Sequence, residues 1–128
     1  MPTKKILIVD DEDTNITLLK SLFSKTDHHL TVARDGEEAL AAAKSIIPDL
    51  ILMDVMMPKM NGFKVCGLIK SENQLSHIPI MILSSRAGDD DREISKQVGA
   101  DAYLVKPVKT EEIISAIQKM LGWDLAKV

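Results

Sequence analysis

Only one cysteine, Cys66, occurs in 128 residues, which excludes an internal disulfide and any paired-cysteine zinc site and fits a reducing compartment. A single thiol of this kind reads as a small buried apolar side chain rather than a reactive group. Basic charge is also scarce. Sixteen Lys and Arg stand against 19 Asp and Glu, a net charge of -3, and no Lys/Arg-rich run occurs. The electrostatic footprint of a protein that grips phosphate backbones is absent, so no direct nucleic-acid partner is expected. Long apolar runs are missing too. From Met1 to Lys5 the chain passes two lysines and then only a short apolar stretch, Ile6 to Val9, before Asp10, too short for a secretory signal or a membrane span. A cytoplasmic location without membrane insertion is the expectation. No internal repeat, low-complexity tract or Pro/Gly/Ser linker interrupts the sequence. What is present, 45% apolar and 27% charged residues, matches an ordinary globular chain able to bury one core. One domain over residues 1–128 is expected, with a core at 4–121 and a short tail after it at 122–128.

The apolar residues fall into two patterns. Ile6–Val9, Leu50–Met53, Ile80–Leu83 and Ala102–Val105 are continuous runs of four, the pattern of parallel strands covered on both faces. His29–Ala33 is less uniform and reads as an edge strand. Between them, apolar positions recur at helical spacing: Ile16, Leu19, Leu22 and Phe23; Leu40, Ala43 and Ile47; Ile113, Ile117, Met120 and Leu121. Weaker helices are expected over 61–72 and 89–98. Asp35 with Glu38 has capping-box spacing, Asp13, Asn61 and Thr110 are candidate N-caps, and Gly99 and Gly122 are placed to end helices. Five strands alternating with five helices predict an α/β fold, a single parallel sheet with right-handed crossovers and helices on both faces. His28, His29 and His77 have no metal-ligand spacing and are expected on turns. Asp89, Asp90 and Asp91 begin a helix, where negative charge suits the dipole. The methionines, Met53, Met56, Met57 and Met60 among them, read as core and loop packing.

The first strand runs into Asp10 and Asp11, and the third into Asp54. In a doubly wound sheet of order 2-1-3-4-5, ligands bind beyond the carboxyl ends of the first and third strands, so these three carboxylates are expected together. Two carboxylates about 5 Å apart repel by roughly 3 kcal/mol at an effective dielectric of about 20, so the group calls for a proton, a cation or both. A hard divalent ion such as Mg²⁺ suits carboxylate and carbonyl oxygens. Pro58 and the Asn61 cap place the next helix several residues past Asp54, which weakens a simple capping role for it. Ser84 and Ser85 end the fourth strand, and the fifth runs into Lys106 and Pro107 at the same edge. Lys106 could be a structural ion-pair partner or hold a phosphoryl oxygen as a point charge.

These residues resemble the receiver domains of response regulators over 4–121: Asp10-Asp11-Glu12, the stretch from Asp54 through Pro58 to Asn61-Gly62, Ser84-Ser85, and Gly99 through Tyr103 to Lys106-Pro107. The resemblance implies the flavodoxin-like doubly wound fold. It implies that Asp54 takes a phosphoryl group from a sensor histidine kinase or a histidine phosphotransfer protein, with Mg²⁺ (or Mn²⁺) held by Asp11, Asp54 and the Met56 backbone carbonyl, and Asp10 acting largely through water. Ser84 and Lys106 would bind phosphoryl oxygens, Pro107 would follow a cis peptide, Pro58 and Gly62 would shape the loop, and Tyr103 would turn from exposed to buried in the switch. Output would be read on the face of the fourth helix, fifth strand and fifth helix by a downstream protein or a fused output domain. Serine stands at position 84 where threonine is commoner. Met56 and Arg86 offer no base for hydrolytic water, which implies a long-lived phosphorylated state. Ser115, Ala116 and Gln118 replace the arginines of receivers that dimerise through the fifth helix, so that dimer is not expected.

The alternatives are a receiver-like interaction module that works without phosphorylation, and an enzyme. A module would be expected to lack part of the acidic pair, Asp54, Ser84 or Lys106. A phosphohydrolase would want a carboxylate at Met56, and a flavin protein a hydroxyl- and Gly-rich loop where Asp10, Asp11 and Glu12 stand. The chain is therefore expected to be a signalling phospho-acceptor and not an enzyme in the ordinary sense.

Overall fold

A computed structural model describes residues 2–86 and 88–125. The elements run β1 (Lys5–Val9), α1 (Asp13–Ser21), β2 (His29–Ala33), α2 (Gly36–Ile46), β3 (Leu50–Asp54), α3 (Gly62–Ser71), β4 (Ile80–Ser84), α4 (Asp89–Gln97), β5 (Ala102–Val105) and α5 (Thr110–Leu121). The strands form one parallel sheet of order β2-β1-β3-β4-β5, the expected flavodoxin-like arrangement. Every residue of β3 and β4 is buried, and β2 and β5 are the half-buried edges.

Alternate residues of each strand feed two cores. Leu7, Val9, Ile51, Met53, Ile80 and Ile82 pack with Ala39 and Ala43 of α2 and with Phe63, Val65, Cys66 and Ile69 of α3. Ile6, Ile8, Leu50, Leu52, Met81 and Leu83 pack on the other face with Ile16 and Leu19 of α1 and Ile113 and Ile117 of α5. Each such side chain, fully buried, contributes about 1.5–3 kcal/mol of transfer free energy, which is why a period of two in fully apolar strands still fixes the register.

Several local expectations need correction. Asp13 does not cap α1. Glu12 holds the N-cap position, and Asp13 is the first helical residue, its carboxylate 2.7 Å from the Arg34 guanidinium. Thr110 is likewise the first residue of α5, behind Lys109, whose carbonyl accepts from Glu112 N–H. The Asp35 and Asn61 caps form as expected, accepting from the N–H groups of Glu38 and Lys64 at 2.8 and 3.0 Å. Glu38 reaches back to Arg34 N–H at 3.4 Å, one residue earlier than a capping box requires. Ile47 is not on the buried face of α2. It leaves the helix at φ 47 and is exposed, because buried Pro48 follows and cannot extend the helix. His29 begins β2 rather than lying on a turn, and Met56 is solvent-exposed rather than packed. The stretch after α5 is not simply a tail: Gly122 turns the chain at φ 75, and Trp123 and Leu125 are buried in the α1/α5 core. Residues 126–128 of the expected tail lie outside the described residues.

Candidate functional site

Register builds the site. Val9 pairs with Met53, so the next residues, Asp10 and Asp54, emerge side by side from β1 and β3. Asp54 pairs with Leu83 and Ser84 with Val105, which brings Ser84 and Lys106 to the same edge. One carboxylate oxygen from each of Asp10, Asp11 and Asp54 lies within 4.8 Å of the others. Asp10 and Asp54 are buried, and Asp11 faces solvent. Asp10 Oδ1 accepts from Glu12 N–H at 3.0 Å, which fixes the turn after β1.

Lys106 reaches between the two buried carboxylates, its Nζ 3.3 Å from Asp54 Oδ1 and 3.5 Å from Asp10 Oδ2. The Lys106–Pro107 peptide is cis. Burial pushes the Asp54 carboxyl above the usual aspartate range; Lys106 opposes that and the Asp10 charge adds to it. One ammonium does not neutralise three carboxylates. The residual charge and the all-oxygen donor set fit a hard divalent cation such as Mg²⁺.

The β3–α3 loop is closed by Val55 O, which accepts from both Met57 N–H and Gly62 N–H. A Cβ on Gly62 would stand 2.3 Å from Asp54 O, so only glycine lets α3 start this close to the acidic site. Met56 and Pro58 lie in this loop, exposed, with Lys59 at φ 69.

Ser84 is fully buried, its Oγ accepting from Arg86 N–H at 3.1 Å. The Tyr103 hydroxyl donates to Arg86 O. Its half-buried ring stacks on Phe63 with centroids 6.5 Å apart, and the Arg92 guanidinium lies 5.4 Å from the ring centroid. Arg86 also approaches Asp91 Oδ1 to 2.8 Å, a close ion pair off the line of a hydrogen bond. Ser84 and Tyr103 thus meet at one loop residue, Arg86.

The expected acidic, hydroxyl and lysine positions therefore all reach one edge. No sequence pattern places Phe63, Arg92 or the Arg86–Asp91 pair in that neighbourhood. A run of three aspartates at a helix start carries no sign that its third member turns inward. A groove of about 390 Å³ lies between α1 and α5, and its lining includes Leu18, Leu19, Val108 and Ile113 together with Asp10 and Lys106 of the site.

Comparison with known proteins agrees with this geometry. The model of the response regulator receiver domain matches residues 6–118. The alkaline phosphatase synthesis transcriptional regulatory protein PhoP of Bacillus subtilis is 36% identical over 118 residues, which are 92% of this chain and 48% of that protein. The chain thus spans about half the length of that relative. The polar-differentiation response regulator DivK of Brucella ovis is 35% identical over 94% of this chain and 98% of its own length. Among solved structures, the receiver domain of a sensor histidine kinase from Pseudomonas aeruginosa superposes with a TM-score of 0.84 at 30% identity, covering 95% of this chain and all of that one. That structure has a magnesium ion coordinated in its active-site cleft.

Proposed function

Because the chain belongs to the response regulator receiver family of two-component signalling, we propose that it accepts a phosphoryl group on Asp54 and changes its output surface in response. The observation that carries this reading is the placement of Asp54 beside Asp10, Asp11 and Lys106 at the carboxyl edge of the sheet. The donor is a phosphohistidine, on a sensor histidine kinase or a histidine phosphotransfer protein. An Asp54 carboxylate oxygen attacks phosphorus, the P–N bond breaks, and the donor imidazole leaves with the bonding electrons and takes up a proton.

Asp10, Asp11, Asp54 and the Met56 carbonyl would hold Mg²⁺ or Mn²⁺, with Asp10 acting largely through water. When bound, the ion offsets the negative charge gathered on the carboxylates and the phosphoryl oxygens. Lys106 already stands between Asp10 and Asp54 and would move its charge onto a phosphoryl oxygen. Ser84 would give up its bond from Arg86 N–H and donate its hydroxyl to another. That movement releases the residue whose carbonyl also accepts from Tyr103, a physical link from the phosphoryl site to the α4–β5–α5 face. A downstream protein or a fused output domain reads that face. No helix among the described residues is long and apolar enough to cross a membrane.

The test is intact-mass measurement after incubation with acetyl phosphate and Mg²⁺. Wild type should gain one phosphoryl group and Asp54→Asn none. A wild type that gains none, or a variant that gains it equally, would overturn the reading and leave an interaction module that works without phosphorylation.

A further inference from the structure

On the far side of the molecule from the acidic site, His28 is packed between the strand starts and the segment after α5. Its Nδ1 accepts from Lys4 N–H at 3.0 Å, which places the ring proton on Nε2. That Nε2 is buried and has no hydrogen-bond partner among the described residues. Its ring centroid is 6.3 Å from that of Phe23 and 5.8 Å from that of Trp123. The Lys4 ammonium lies 5.7 Å from the Trp123 ring centroid, on the same seat. Trp123 is the only tryptophan of the chain and is buried.

We propose that His28 is a proton-operated latch: neutral, it holds Trp123 and the segment after α5 against the sheet, and protonated it lets them go. A second ring proton must sit on Nδ1, where it faces the Lys4 N–H that now donates there. The bond is lost and two donors oppose each other. The new charge would sit in an apolar seat beside the Lys4 ammonium, and the Trp123 face that could attract it is already shared with that cation.

The carboxylates of Asp27, in the same loop, and Asp49, before β3, favour the charged ring. Burial and Lys4 outweigh them, so the docked imidazole titrates below the ordinary histidine range. The sign follows. Docking is at full strength above about pH 6.5, the value for a released histidine, and weakens as pH falls, because the released state takes the proton first.

The full chain offers a direct readout, since Trp123 fluorescence has no background from other tryptophans. Between about pH 8 and about pH 5, the emission maximum should move to longer wavelength and acrylamide quenching should rise, with a midpoint below that of free histidine. Far-UV circular dichroism should stay constant. His28→Gln should abolish the transition, and His29→Gln, a neighbour exposed on β2, should keep it. Should His28→Gln fail to fold, the wild type decides by NMR: the His28 ring should be the Nε2–H tautomer and titrate together with the Trp123 indole N–H. Emission that does not respond, a transition that survives in His28→Gln, a His28 that titrates at or above the ordinary value, or loss of helix signal in the same step would each overturn the proposal.

Discussion

Asp54→Asn should make the metal-free protein more stable, although it removes the residue on which the proposed function turns. Lys106 Nζ, 3.3 Å from Asp54, attracts its charge by about 5 kcal/mol at an effective dielectric of 20. Asp10, whose oxygen lies within 4.8 Å, repels it by at least about 3.5 kcal/mol on the same scale. Asp11 is solvated and adds about 1 kcal/mol. The pairwise terms nearly cancel. What remains is the cost of holding a carboxylate 6% exposed, without the water that solvates it in the unfolded chain. Asparagine keeps the shape and an oxygen for Lys106 and loses that cost, a gain of about 1–2 kcal/mol.

Urea unfolding at neutral pH in EDTA measures the difference. The folded carboxyl titrates above its unfolded value, so its burden on the fold is absent below the unfolded value, grows as pH rises through the folded one, and is complete above it. The advantage of Asp54→Asn should therefore be full near neutrality and shrink on acidification toward about pH 4. Mg²⁺ at about 100 times its dissociation constant should stabilise wild type by about 2.7 kcal/mol and the variant by less. An Asp54→Asn protein no more stable than wild type in EDTA, or equal stabilisation of both by Mg²⁺, would refute the reasoning.

Gly62→Ala should cost about 3 kcal/mol and weaken phosphoryl transfer together, because its Cβ would meet Asp54 O at 2.3 Å; unchanged thermal unfolding would count against it. Ile47→Gly should gain about 0.5–1 kcal/mol, since a β-branched residue at φ 47 is relieved at the cost of some chain entropy; urea unfolding checks the sign. Burial pushes the Cys66 thiol up to about 12, so iodoacetamide at mildly alkaline pH should leave the native protein untouched and label it only once unfolded. Met56 is exposed and Arg86 supplies no base, so the phosphoryl group on Asp54 should outlast that of fast chemotaxis-type receivers; its loss within seconds without a phosphatase, followed by intact mass, would contradict this.

The strand order and the acidic site were legible for a shared reason. Four strands are apolar on both faces, so their runs are hard to mistake, and a polar residue that ends such a run must emerge at the sheet edge. Asp10, Asp54, Ser84 and Lys106 each end one. The sequence is ambiguous where several residues could do the same local job. Four consecutive acidic residues, Asp10 to Asp13, offer more than one cap, and the structure uses Asp13 for Arg34 instead. Thr110 and Lys109 differ by one step in helix phase, and only the turn geometry decides between them.

Trp123 separates what periodicity can convey from what it cannot. A glycine that ends a helix reverses the chain, and an apolar residue just after it commonly folds back onto the last turn. Gly122 followed by Trp123 carries that sign, yet read by helical spacing alone the pattern stops at Leu121 and the rest looks like a tail. Burial of Trp123 needs a partner surface, and that surface comes from residues distant in sequence, His28 with Phe23 and Lys4. No local pattern contains such a contact. The same holds for Tyr103 between Phe63 and Arg92, and for Asp91 against Arg86. Residues aligned by the sheet could be placed from the sequence because register is itself periodic. Those joined by loops and chain ends could not, and both the link from Ser84 to Tyr103 and the latch at His28 are built from that second kind.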